Sequence, residues 1–133
     1  MGVVASFSAE DNAILGYHDR PIYNHGVLLA RAAVRAECVK KMTEHDVRPP
    51  LPTLRITAFS GGNQQKLVLA REIDCEPRVL LIGQPTRGVD IGAIEFIHKR
   101  LVTLRDAGKA LLLVSVELSS NALPASRNVT SRL

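Results

Sequence analysis

Two short apolar runs separated by a helical pattern set the strongest limit on what this chain can fold into. Val79-Leu80-Leu81-Ile82 is apolar without alternation, as a strand buried on both faces should be. Ala110 to Ser115 is a second run of the same kind. Between them, Asp90 to Ala107 carries Ile94, Ile97, Leu101 and Leu104 on one helical stripe, and Gly108 follows as a stop. Strand, helix and strand at this spacing predict a right-handed βαβ unit with parallel strands. Open sheets of this kind bind ligands at the carboxyl ends of their strands, here Gly83-Gln84 and Ser115-Val116.

The residues before this unit read as mostly helical. Met1 to Phe7 is apolar and predicts a short strand. Ser8 with Asp11 three residues on resembles a capping box, opening a helix to about Tyr17. Pro21 and Gly26 punctuate a loop. Val27 to about His45 predicts an amphipathic helix, with Leu28, Leu29, Ala32, Ala33, Ala36 and Val39 inward and Arg31, Arg35, Lys40 and Lys41 on a solvated face. Pro49, Pro50 and Pro52 make Val47 to Pro52 an extended connector. Thr53 to Phe59 leads into Ser60-Gly61-Gly62, and a helix from Asn63 to about Ile73 follows, with Leu67, Val68, Ala70 and Ile73 apolar. Beyond Leu118, Ser119 to Leu133 loses apolar periodicity and is expected to be a loose tail.

Composition narrows the function classes. The 133 residues allow one domain with a modest core. The formal charge of +4 is spread along the chain with no block of like charges, which argues against a nucleic-acid arm. Cys38 and Cys75 lie far apart and suggest buried thiols of a reducing compartment. No signal-peptide pattern and no apolar run of membrane-spanning length is present. His18, His25, His45 and His98 have no partner at metal-ligand spacing, so no metal site is expected.

The stretch with chemistry in it is Ser60-Gly61-Gly62-Asn63-Gln64-Gln65. Ser is a favoured N-cap, glycine lets a backbone approach a ligand, and a helix N-terminus offers free N–H groups to an anion. Taken alone, the stretch reads as well as a turn before a helix, and Asp90 as an N-cap. Taken with Pro85-Thr86-Arg87-Gly88-Val89-Asp90, it resembles the second half of an ATP-binding cassette, the motor domain of ABC transporters. Ser60 to Gln65 looks like that family's signature motif, in the form found in importers of simple sugars and nucleosides. Pro85 to Asp90 looks like the segment after Walker B, ending in the D-loop.

The resemblance implies an α/β chain with a partial ABC-type P-loop NTPase fold, residues 1–118. Residues 8–73 would form the helical subdomain and 75–118 the βαβ part, with 119–133 outside it. No stretch matches a P-loop, in which a Gly and four further residues precede Gly-Lys-Ser/Thr, so the P-loop half is expected to be absent. Gly83 stands at the Walker B Asp position, Gln84 at that of the catalytic Glu, and Val116 at that of the switch His. Glycine binds no metal and Gln84 cannot take a proton from water. The chain alone is therefore expected not to hydrolyse ATP. In the family, two cassettes pair head to tail around ATP, and Ser60, Gly61, Gly62, Asn63 and Asp90 would contact ATP held by the other cassette. ATP and Mg²⁺ would belong to the complete assembly. The implied partners are a second cassette and a transmembrane permease at the cytoplasmic face of the membrane, with no nucleic acid. Two rival readings stay open at this point: a non-catalytic adaptor that pairs with a cassette or the permease, and a truncated product with no function of its own.

Overall fold

The computed structural model describes residues 2–83 and 91–114. Helix α1 (Ala9–Ala13) is followed by a small hairpin of β1 (Asn24–His25) and β2 (Leu28–Leu29), then α2 (Arg31–Glu44) and a 3₁₀ turn (Ile56–Ala58). Helix α3 (Gly61–Ile73), strand β3 (Val79–Gly83), helix α4 (Ile91–Asp106) and strand β4 (Ala110–Val114) complete the order.

Ser8 caps α1 as its sequence predicts. Its Oγ accepts the Asp11 N–H at 3.2 Å and donates to the Asp11 carboxylate at 2.6 Å. The helix stops at Ala13 rather than near Tyr17; Gly16, at φ +88°, lies in the left-handed region just beyond. Residues 2–7 hold no strand, contrary to expectation. The buried Asn12 amide accepts the Val4 N–H at 2.8 Å and donates to the Val4 carbonyl at 3.1 Å. It thereby takes both groups that a ladder would need.

Helix α2 departs further from the expected pattern. Val27 to Leu29 fall in the hairpin, where Gly26 at φ +70° supplies the positive φ that its tight turn needs. The inward face is Val34, Cys38, Lys41 and Met42, while Ala32, Ala36 and Val39 are exposed. The helix is thus rotated from the predicted stripe, since leaving alanine methyls in water costs little beside burying Val34 and Met42. Lys41 is 3% exposed, not solvated; its ammonium meets Asp74 at 2.7 Å and the Tyr23 hydroxyl at 3.2 Å. Burial pulls the Lys41 ammonium down, and these two partners more than offset it, leaving it above its ordinary range. The helix ends in a Schellman turn: Asp46 takes φ +50°, its N–H reaches the Thr43 carbonyl at 3.3 Å, and Val47 N–H reaches the Met42 carbonyl at 2.8 Å.

Strands β3 and β4 pair in parallel, Val79 against Ala110 through Gly83 against Val114. Helix α4 buries Ala93, Ile97 and Leu101, with Leu104 packed at the edge. Gly108, at φ +81°, closes it: Lys109 N–H reaches the Leu104 carbonyl at 3.1 Å and Gly108 N–H that of Arg105 at 2.9 Å.

Two main apolar cores result. One joins Ala9, Ala13, Cys38, Met42, Val47, Ile56, Phe59 and Leu67. The other joins Leu69 and Ile73 of α3 to Leu80, Ile97 and Leu101. The strands are not buried on both faces. Leu80 is 9% exposed, but Leu81 is 68% exposed and Leu112 57%, because α3 and α4 cover one face only. Cys38 is buried, and burial pushes its thiol up to about 12, whereas Cys75 is only half-buried, contrary to expectation. Among the described residues, no helix is long and apolar enough to cross a membrane.

Candidate functional site

The N-terminus of α3 gathers four of the candidate residues. Ser60 is its N-cap, with extended backbone at φ −60°, ψ 157°, and Gly61 and Gly62 are its first two helical residues. The helix therefore begins two residues earlier than the predicted start at Asn63. Ser60 Oγ accepts the Asn63 N–H at 3.3 Å and the Asn63 side-chain amide at 3.0 Å. Both of these hydrogen bonds use Ser60 Oγ as acceptor, so its hydroxyl proton stays free to donate. The Gly61 and Gly62 N–H groups belong to the first turn, where helical geometry provides no carbonyl, and no hydrogen bond fills them among the described residues. One hydroxyl and two amides thus converge as donors.

Asn63 is engaged within the chain at both ends of its side chain. Its Oδ1 accepts the Arg48 N–H at 2.9 Å while its Nδ2 holds Ser60. The side chain braces the loop, because both of its ends are already engaged within the chain. Asp90, Gln84 and Val116 lie outside the described residues. Gly83, expected at the Walker B Asp position, ends β3 opposite Val114.

Sequence reasoning missed the residues that support this loop. One turn along α3 from Asn63, the Lys66 ammonium donates to the Asp46 carbonyl at 3.0 Å and to its carboxylate at 3.2 Å. It also lies 4.9 Å over the Phe96 ring. Arg48 and then Lys66 hold the Asp46 carboxyl below its usual range. The α2 end turn is therefore fastened to α3 at Asn63 and Lys66. Their i, i+3 spacing puts both on one face, a visible signal, but nothing local names Asp46 and Arg48 as the partners.

A set of donors at a helix N-terminus suits a phosphate and not a metal ion. Among the described residues, no group of three or more His, Cys, Asp or Glu side chains could hold a metal. A groove of about 590 Å³, lined by Tyr23, Lys41, Ile73, Asp74, Leu80 and Leu111 among others, opens at the far end of α3. With about 1.5 Å of rise per residue, roughly 18 Å of helix separates it from Ser60.

Known proteins resemble this chain over most of its length. The guanosine import ATP-binding protein NupO of Bacillus subtilis is 48% identical over 122 residues, which are 88% of this chain and 23% of that protein. The nucleoside import ATP-binding protein NupA of Lactococcus lactis is 46% identical over 110 residues, 83% of this chain and 22% of that one. The ribose import ATP-binding protein RbsA 1 of Burkholderia cenocepacia is 37% identical over 117 residues. The dimeric structure of the bacterial ABC transporter cassette MJ0796 superposes with TM-score 0.64 at 23% identity, covering 87% of this chain and 49% of the cassette. The chain belongs to the ABC cassette family.

It is a partial cassette, spanning under a quarter of the length of these curated relatives and about half of the solved cassette. A second cassette structure, MJ1267, matches at TM-score 0.63 and 17% identity, again over 50% of its length. No family model matches the chain. The partial α/β cassette fold expected from the signature and the strand–helix–strand pattern is the fold observed.

Proposed function

We propose that this chain is the signature-bearing part of the ATP-binding subunit of a nucleoside or simple-sugar importer, from the second of two cassettes. It would couple ATP binding and hydrolysis to uptake only when nucleotide is presented by another P-loop. The observation that carries this reading is the donor set at α3: the Ser60 hydroxyl and the open Gly61 and Gly62 N–H groups. In this reading Gln84 stands in place of a general base and Asp90 is the D-loop carboxylate. ATP and Mg²⁺ would be held by the partner cassette, with a permease providing the membrane attachment. The import functions named for NupO, NupA and RbsA 1 support the substrate class.

Energetics explain why a partner is required. A helix N-terminus stabilises an anion by about 0.3–1 kcal/mol when exposed and about 2 kcal/mol when partly buried. Micromolar affinity needs about 8 kcal/mol. The loop can therefore complete a nucleotide site but not form one.

The test is to titrate the chain into an intact cassette with and without ATP. Complex formation should rise with ATP and fall on Gly62→Asp, since a carboxylate there would repel phosphate. The chain alone should show no magnesium-dependent ATPase activity above background. Pairing of equal strength without nucleotide, and indifferent to Gly62→Asp, would replace this reading with that of an adaptor.

A further inference from the structure

His45 closes α2 and is 0% exposed, yet neither ring nitrogen has a hydrogen-bond partner. Its ring meets Phe96 of α4 edge-on, at 6.1 Å between centroids and 64° between planes. The buried Nε of Arg100, also on α4, is likewise unpartnered. A buried imidazole that makes no hydrogen bond is costly to keep and far costlier to charge. The next residues, Asp46 and Arg48, form the turn fastened to α3 at Lys66 and Asn63. His45 thus sits where α4 and the signature end of α3 are held to the same turn.

We propose that His45 is a proton-sensitive latch: protonation drives its ring from this junction and loosens α4 together with the first turns of α3. None of the charges facing it lies within hydrogen-bond reach of the ring to settle a new cation. From α4 comes Arg100, and from α2 Lys41 and Glu44; Asp74, which caps α3, is the other carboxylate. Lys41 already occupies Asp74 at 2.7 Å, Glu44 is exposed, and Lys66 of α3 is engaged with Asp46. Burial, and after it Arg100, hold the imidazole below its ordinary range. The sign follows: with the folded value depressed, the stability that His45 permits is present above pH 6.5 and is lost as pH falls through the folded value. Regulation of the signature loop by this route rests on the proposed function; the conformational step does not.

Amide hydrogen exchange of the whole chain at pH 5.0 to 7.5, corrected for intrinsic rates, tests the latch without nucleotide. This window stays above the carboxylate range, so Asp11 and Asp46 remain charged. Residues 64–67 and 95–101 should lose protection together on acidification, by about tenfold per unit of pKa depression. His45→Leu should abolish the change, and His98→Gln, on the same helix α4, should keep it. If His45→Leu does not fold, the imidazole titration followed by NMR in the unaltered chain should share its midpoint with the exchange transition. Flat exchange, loosening that persists in His45→Leu, or a midpoint unrelated to the imidazole would overturn the latch. None of these outcomes bears on ATP-dependent pairing, so the two claims fail separately.

Discussion

The helical region and the strand region of this chain are finished to different degrees. Around α1, α2 and α3, apolar residues meet from several sides, and Ala9, Val34 and Met42 are 0% exposed. Apart from the His45 imidazole, the buried polar side chains there are answered as well: the Arg71 guanidinium donates to the Gly2 carbonyl at 3.0 Å and the Asn12 carbonyl at 3.1 Å. In the β3–α4–β4 region, Leu101 is equally buried, but the opposite face of the sheet leaves Val79, Leu81, Leu112 and Val114 in the open. A two-stranded sheet is marginal unless something packs on it, and here helices pack on one side. The difference shows that the same chain holds one core closed by its own residues and another that needs further structure.

The largest expected effect tests the closed core. Met42→Ala should cost about 2–5 kcal/mol, since it removes a fully buried side chain from a site packed on several sides. Leu101→Ala should fall at the low end of that range, because an open sheet can settle onto α4 and shrink the cavity. Urea denaturation of both variants gives the comparison. A larger loss for Leu101→Ala than for Met42→Ala would break the contrast between the regions.

Legibility in the sequence follows the same division by range. The βαβ pattern and the capped helix after Ser60 were readable because each is decided within a few residues: apolar runs, an i, i+3, i+4 stripe, a capping Ser, a closing Gly108. The rotation of α2 was not, because Lys41 is turned inward by Asp74, far along the chain. The strand expected before Phe7 fails through Asn12, and the bracing role of Asn63 depends on Arg48. In each case a polar side chain finds a distant partner that no periodicity encodes. The open sheet face was misread for a related reason: an apolar run announces burial without saying which chain supplies the cover.

A smaller effect is expected at the cap. Ser60→Ala should destabilise by about 1 kcal/mol, the usual cost of losing an N-cap acceptor. It frees both the Asn63 N–H and the Asn63 amide. Ser60→Asp should restore stability, through the acceptor and the helix dipole, while adding a negative charge that would repel phosphate under the proposed function. A thermal melt combined with the ATP-dependent pairing assay separates these roles.

Acid should discriminate the regions more gently. For Asp11, burial opposes ionisation, but Ser8 and Arg31 prevail and lower the carboxyl; Arg48 and Lys66 lower that of Asp46. Both groups brace the helical region. With folded values depressed, their stabilisation is present above about pH 4 and lost as pH falls through the folded values. Both carboxylates are partly exposed, so each contribution should stay under about 1 kcal/mol. Denaturation midpoints between pH 5 and 3 should fall, and Asp46→Asn should flatten part of that fall. A slope unchanged in Asp46→Asn would remove the turn at α2 from the supports of this region.

The smallest effect is expected where the sheet is open. Leu80 and Leu81 are neighbours on β3 with opposite fates, 9% and 68% exposed. Side chains alternate across a strand, so Leu80 meets Ile97 and Leu101 while Leu81 stands beside Leu112 on the uncovered face. Leu81→Ser should therefore change the stability of the isolated chain by no more than about 0.5 kcal/mol, as at other exposed positions. It should also reduce self-association on a sizing column, because it breaks a contiguous apolar patch. Leu80→Ser, one residue away, should cost several-fold more by placing a hydroxyl in the core. A loss above about 1 kcal/mol for Leu81→Ser, growing with protein concentration, would mean that a second copy covers the face in solution. The region called open would then be closed by association, and the contrast with the helical core would hold only for the monomer.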